Sequence, residues 1–207
     1  PVAIDYLLGP GWQIPTTTVN RQAEIGPGTP HLVVRLEGTQ VETDWLADQV
    51  QTVLCQAGGM SVALLTPTDA AALWRQQIEF ADRGAGEVAD NSPLVVKIAV
   101  PPSAATKIVS QLIEFDANCS IQAHAASGII VARFSKFGHA DRTPVLVGQL
   151  RPAAIKLGGS LVVVSSQLDG LTPYLIWGGR TDAIVLLENI KRQFDPHNIL
   201  SSGRFVI

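Results

Sequence analysis

The sequence has few cysteines, no large cluster of basic residues and no long apolar run. Two cysteines, Cys55 and Cys119, occur in 207 residues, which excludes a disulfide framework. We expect both to be reduced thiols in a cytoplasmic protein, with a single bond between them as the alternative. No basic cluster exceeds Lys191-Arg192 and the formal net charge is −3, which argues against a nucleic-acid-binding domain. No apolar run approaches the ~20 residues that span a bilayer.

Local motifs for metals and nucleotides are also missing. None of the four histidines (His31, His124, His139 and His197) has a partner at metal-ligand spacing, so the sequence predicts no metal site. Residues 84–89 fit G-x-G-x-x-A, but they follow a helix-like segment instead of a strand, so nucleotide binding is not expected there. A Walker A motif and a G-x-S-x-G elbow are absent, which leaves no catalytic nucleophile to assign.

The composition and the hydrophobic periodicity predict one α+β domain. Hydrophobic residues make up 46% of the chain and charged residues 16%, as in a globular protein. We predict strands at 2–8, 31–37, 61–65, 94–100, 119–124, 128–134 and 161–165, with 171–177 partly extended. Helices are predicted at 39–57, 68–81, 104–115 with Ser103 as its N-cap, 142–157 and 182–194.

The order of these elements predicts the fold. From 94 to 165 it is strand, helix, strand, strand, helix, strand, which is the split β-α-β arrangement. We therefore expect residues 1–207 to form a single domain with a ferredoxin-like antiparallel sheet covered by helices on one face. The first two strands, paired as a hairpin, would extend this sheet.

The C-terminal residues 182–207 predict a helix followed by a docking tail. Asp195-Pro196 ends the helix, because proline disfavours helical geometry before it and lacks a backbone donor. Ile199 and Leu200 form an apolar anchor. Gly203 permits a turn, and Arg204 adds a fixed charge with a fork of donors.

The tail also carries a resemblance to a known family. Phe-Asp-Pro-x-x-Ile-Leu-x-x-Gly-Arg at 194–204 resembles the closing signature of the vanillyl-alcohol-oxidase and p-cresol-methylhydroxylase superfamily of flavoproteins. Within that superfamily the chain is similar to the FAD-binding subunit of glycolate oxidase, with support from segments 32–38, 123–128 and 177–180. Ser201-Ser202 stands where the family usually has Asn-Pro.

The resemblance implies the C-terminal cap or substrate domain of an FAD-dependent 2-hydroxy-acid oxidoreductase. Family members carry a larger FAD-binding domain before this region, so we expect an excised domain whose residues 182–207 contact that missing neighbour. This chain alone is then expected to be inactive and colourless. The implied partners are the N-terminal FAD-binding domain, a small 2-hydroxy acid and an iron–sulfur subunit.

The resemblance also carries over site residues. The expected cofactor contacts are Arg180, Asp195, Pro196, Asn198, Gly203 and Arg204. The alternative for the tail is a simple cap that ties down the end of the chain by burying its apolar residues. For Trp177-Gly-Gly-Arg180, the alternative to a lip for the cofactor is a tryptophan packed in the core.

His124 and Arg133 are the candidate substrate contacts. His124 ends a strand beside small residues that leave room for a ligand, and imidazole exchanges protons near neutral pH. Arg133 could bind a carboxylate with two hydrogen bonds. The alternatives are a hydrogen-bonded structural histidine and an exposed strand arginine. For the whole chain, the alternative is a stand-alone, non-catalytic α+β module that binds a ligand or a protein.

Overall fold

A six-stranded antiparallel sheet forms the centre of the protein. The computed structural model describes residues 1–13, 28–58, 62–81, 94–134, 142–166, 171–179 and 184–200. The strands are β1 (Ala3–Leu8), β2 (His31–Arg35), β3 (Leu94–Ala99), β4 (Ser120–His124), β5 (Ile129–Phe134) and β6 (Ser160–Ser166). Their order across the sheet is β2-β1-β4-β5-β3-β6, and each neighbouring pair is antiparallel.

The described residues also form six α-helices. These are α1 (Gln40–Gln56), α2 (Pro67–Ile78), α3 (Ala105–Phe115), α4 (Arg142–Lys156), α5 (Pro173–Trp177) and α6 (Ile184–Phe194). The run β3-α3-β4-β5-α4-β6 is the predicted split β-α-β unit, and the hairpin β1–β2 adds two strands beside β4. The predicted α+β fold with a ferredoxin-like antiparallel sheet is therefore confirmed.

Helices α3 and α4 cover one face of the sheet and bury the main core. Because side chains alternate across a strand, β3, β4 and β5 each send every second residue into this core. Leu94, Val96 and Ile98 show the pattern on β3. Helix α3 meets them with buried residues at the i, i+3, i+4 and i+7 spacing of an amphipathic helix, namely Ala105, Ile108, Val109 and Leu112.

The opposite face of the sheet carries a smaller cluster next to polar side chains. Leu7, Trp12, Leu73 and Phe80 are buried there. The Trp12 and Phe80 rings stack with centroids 4.4 Å apart, and the indole Nε1 donates to the Ile121 carbonyl at 2.9 Å. Because this cluster covers only part of the face, the remainder is available for polar residues.

Three local predictions were wrong. The segment 171–177 contains helix α5, because Thr172 accepts from the Leu175 amide as N-cap and Pro173 suits the first helical turn. Ser103 is not an N-cap, since it lies inside a short 3₁₀ turn, Pro102–Ala104, that precedes α3. The predicted strand at 61–65 is not formed at 62–64, and residue 61 lies outside the described residues.

No described helix is both long enough and apolar enough to cross a membrane.

Candidate functional site

A tight turn between β4 and β5 sets the position of His124. The His124 carbonyl accepts from the amides of Ser127 and Gly128, at 3.2 and 2.9 Å, and the Ala125 amide donates to Ile4. Gly128 has a φ of 70°, and a Cβ atom there would lie 1.9 Å from the Val100 carbonyl oxygen. Glycine is therefore required at this turn, which holds the end of β4 in place.

His124 forms a close pair with a buried carboxylate on the neighbouring strand. Its Nδ1 lies 2.6 Å from Oδ1 of Asp5, which faces it directly in the β1–β4 register. Asp5 is 2% exposed, whereas the His124 side chain is 38% exposed. An ionised carboxylate only accepts hydrogen bonds, so with Asp5 ionised this contact requires the tautomer that carries its hydrogen on Nδ1. Within the described residues, Nε2 makes no hydrogen bond.

Arg133 is buried on the same face of the sheet, at a distance from His124. It is 2% exposed, and its guanidinium lies over the Phe80 ring at 5.4 Å, so the exposed-arginine alternative is wrong. His124 pairs with Ile129 in the β4–β5 register, and Arg133 lies four residues further along β5. At ~3.3 Å per residue, the two backbone positions are about 13 Å apart. The structure therefore places both candidates on one face without bringing them together.

The segment around Trp177 depends on an arginine that the sequence did not single out. The Arg151 guanidinium donates to the carbonyls of Leu161, Tyr174, Leu175 and Ile176 at 2.6–3.2 Å. Burial lowers the pKa of Arg151, with a smaller opposing effect from Tyr174. No local pattern could reveal this role, because the acceptors lie 10 to 25 residues away in sequence.

Trp177 ends helix α5 and is partly exposed. It is therefore not the fully packed core tryptophan of the alternative interpretation. Gly178 follows it with a φ of 101° and packs against the Arg151 side chain. Arg180 lies outside the described residues.

The residues after α6 fold into a closed turn around Asp195. The buried Asp195 carboxylate accepts from the amides of Ile199 and Leu200 at 2.9 and 3.0 Å, and from the Lys191 ammonium. Lys191 also donates to the Leu200 carbonyl at 2.7 Å. Asn198 has a φ of 49°, a left-handed geometry that asparagine tolerates. These contacts fix the backbone through residue 200.

Hydrogen bonds hold the pKa of Asp195 below its ordinary value. The bond from Lys191 is the largest cause, and the two backbone donors add to it against the opposing effect of burial. Because the carboxylate is occupied within the chain, its visible role is to shape the turn. Pro196 and Asn198 are exposed on that turn, and Gly203 and Arg204 lie outside the described residues. Cofactor contact stays a prediction for all six of the expected residues, namely Arg180, Asp195, Pro196, Asn198, Gly203 and Arg204.

Apolar side chains project outward from the fixed turn and the adjacent helix. Ile199 is 77% exposed and Leu200 is 59% exposed. Phe194, Val185 and Leu186 on α6 are also exposed. Ile199 and Leu200 together are called the tail face below.

The two cysteines are both free thiols, so the disulfide alternative is wrong. Cys55 is exposed on α1 and Cys119 is buried at the start of β4. Burial raises the pKa of Cys119 to about 12, with a further contribution from Asp116. In the described ranges, no three acidic, histidine or cysteine side chains are grouped to hold a metal ion.

On one face of the antiparallel sheet lie α3 and α4, and on the other α2 and the Leu7 cluster lie beside the polar side chains of Asp5 and Arg133. The family of FAD linked oxidases, C-terminal domain, matches residues 13–163, nearly three quarters of the chain. The protein therefore belongs to this family of C-terminal domains. The match includes His124 and Arg133 and ends before α5, α6 and the tail. No curated protein matches the chain.

Family membership confirms part of what the sequence resemblance implied. It supports an oxidoreductase parent that uses FAD and has an N-terminal FAD-binding domain as the partner of this one. The family match does not distinguish glycolate oxidase, or a 2-hydroxy-acid substrate, from other members of the family.

Proposed function

We propose that this chain is the substrate-side cap of an FAD-dependent 2-hydroxy-acid oxidoreductase similar to glycolate oxidase. It would dock through the tail face onto the N-terminal FAD-binding domain and present its polar sheet face to the substrate. The observation that carries the proposal is the combination of a fixed backbone and exposed apolar side chains at Ile199 and Leu200.

The tail face supports docking over the alternative of a simple cap. A cap needs only to bury its apolar residues, yet Ile199 and Leu200 point into solvent from a turn that three donors to Asp195 hold in place. Each Å² of apolar surface removed from water contributes about 25 cal/mol. A partner domain that covers Ile199 and Leu200 would therefore stabilise the complex by that amount per Å². The backbone is already ordered, so docking would cost little conformational entropy there.

The described residues fit the substrate side of a bound flavin better than its phosphates. The Lys191 cation is already engaged by Asp195 and the Leu200 carbonyl, so it is not offered to a pyrophosphate. Among the described residues, Nε2 of His124 makes no hydrogen bond, and the partly exposed ring lies at the end of β4. We therefore assign most FAD contacts to the N-terminal domain.

The chemistry divides between the cofactor and this chain. When bound, FAD accepts a hydride equivalent from the α-carbon of a 2-hydroxy acid. In our proposal His124 accepts the hydroxyl proton at Nε2, so that the O–H bond breaks as an N–H bond forms. Arg133 is kept as the proposed carboxylate contact; because Phe80 covers it about 13 Å along the sheet from His124, this contact requires the Phe80 side chain to move and the two side chains to reach toward each other.

Reconstitution tests the proposal. The N-terminal FAD-binding domain of the parent protein is mixed with this chain and a series of 2-hydroxy acids without oxygen, and loss of the oxidised flavin absorbance is recorded. We expect reduction only when both domains are present, and a large loss of rate for His124→Gln. Lys107→Gln, a change on the exposed side of α3 across the sheet from His124, is the control.

Two outcomes would count against it. Equal rates with and without this chain would remove the cap from the reaction. Failure of the domains to associate, together with tight binding of an unrelated ligand by this chain alone, would favour the stand-alone module.

A further inference from the structure

We propose that Asp5 is the positioning residue of this site, which fixes Nδ1 of His124 as the donor and leaves Nε2 as its single proton-exchanging atom. The inference rests on the proposed function for the reaction that His124 serves. Its claim about the imidazole is independent of that reaction and concerns the ring in this chain alone.

The pairing of β1 with β4 places the Asp5 and His124 side chains next to each other. Asp5 and His124 are directly opposite in the antiparallel register, so their side chains leave the sheet side by side on one face. The 2.6 Å separation of Oδ1 from Nδ1 is that of a short, charge-assisted hydrogen bond. A slip of either strand by one residue would break the pair and move the side chains of that strand to the opposite face.

The burial of the Asp5 carboxylate makes its hydrogen bond to His124 necessary. A carboxylate at 2% exposure loses its hydration, and such a group is costly unless it is hydrogen-bonded. His124 is the hydrogen-bond partner of the Asp5 side chain in the described residues. The hydrogen on Nδ1 is thus held by a strong acceptor, whereas Nε2 meets no competing partner in those residues.

Backbone hydrogen bonds also hold the strand ends around this pair. The Ala125 amide donates to the Ile4 carbonyl at 2.9 Å, which ties the residue after His124 to the residue before Asp5. Gly128 closes the β4–β5 turn from the other side. The ring is therefore oriented by a hydrogen bond on a rigid frame, the arrangement that a directed proton transfer needs.

A spectroscopic experiment decides the positioning claim. The ring nitrogens of the 207-residue chain are labelled with ¹⁵N, and the His124 signals are assigned by their loss in His124→Gln. In neutral His124 we expect the hydrogen on Nδ1 and an acceptor-type Nε2. Asp5→Ala, and Asp5→Asn as the variant that preserves volume, should lose this preference. A hydrogen on Nε2 in the wild-type chain, or an unchanged tautomer in both variants, would overturn the claim.

Kinetics of the reconstituted oxidase then test its use. Asp5→Asn should lower kcat by about 100-fold or more, the scale of a misplaced general base, and change KM by less than about threefold. Asp116→Asn, a partly buried aspartate after α3 whose carboxylate accepts from the Asn118 amide, is the control and should alter neither the tautomer nor kcat. An unchanged kcat in Asp5→Asn would refute the positioning role. If the domains do not associate, the proposed function fails and the tautomer still decides the claim about Asp5.

Discussion

Replacing Arg151 by methionine should destabilise the attachment of helix α5 to the sheet, where Leu175 packs against the main core. The substitution preserves most of the apolar stem and removes a guanidinium that binds four carbonyls of β6 and α5. Helix α5 has only five residues and cannot stand alone, so these bonds connect it to the sheet layer.

The expected decrease in the free energy of unfolding follows from the hydrogen bonds of Arg151. A hydrogen bond to a charged group contributes about 1.5–3 kcal/mol, and a buried carbonyl left unpaired costs about 1–3 kcal/mol. The contributions are not additive, because α5 lies at the surface and its carbonyls can regain water once it detaches. We therefore expect a loss of about 2–4 kcal/mol, which for a domain of this size lowers Tm by roughly 5–15 °C.

Urea unfolding monitored by circular dichroism measures this loss, and hydrogen exchange locates it. Amides of α5 should lose protection before those of β3 and α3. Arg75→Met makes the same chemical change on an exposed residue of α2 and should stay within about 0.5 kcal/mol. A loss below about 0.5 kcal/mol in Arg151→Met would refute the role assigned to this arginine.

Two further predictions follow from the titrating groups. At pH 8 iodoacetamide should alkylate the exposed Cys55 and spare Cys119 in the folded chain, because burial keeps the Cys119 thiol protonated. Mass spectrometry of the peptides measures the labelling of each cysteine, and equal labelling would contradict the prediction. The pKa of Asp195 is depressed, so its stabilisation of the tail turn is complete above the ordinary value of ~3.9 and is lost as pH falls through the lower folded value. In a His197→Gln chain, amide shifts of Ile199 should accordingly be constant from pH 7 to about pH 4 and change only below it, whereas a change centred near pH 6 would exclude Asp195 as the cause.

Much of the fold follows from local patterns in the sequence. Strand β3 is β-branched and bounded by prolines, and α3 repeats its apolar residues with a helical period, so both were placed within one or two residues. The order strand, helix, strand, strand, helix, strand then indicated the split β-α-β fold. Helix α5 was missed although Thr172 and Pro173 are local start signals, and the bonds that hold it to the sheet come from Arg151, a distant residue.

The candidate site could be predicted only in part, because its pairings are non-local. His124 stood out from its small neighbours, but Asp5 lies 119 residues away and only the β1–β4 register brings it to the imidazole. Arg133 was a candidate substrate contact with an exposed strand arginine as the alternative, and strand position alone did not reveal that Phe80 covers it. In the tail, Asp195 was selected from the family signature, and its bonds to Ile199 and Leu200 became visible only in the folded turn.

The central claim is that the tail face docks onto the N-terminal FAD-binding domain, and the dissociation constant of that pair tests it most directly. Burying a leucine or isoleucine side chain contributes about 1.5–3 kcal/mol, which the exposures of Ile199 and Leu200 reduce to about 1–2 kcal/mol each. Replacing both by serine should weaken binding by roughly 30- to 1000-fold by calorimetry, while Ile155→Ser on the exposed side of α4 changes it by less than about threefold. Equal affinities for the wild-type chain and the double-serine variant would contradict the account.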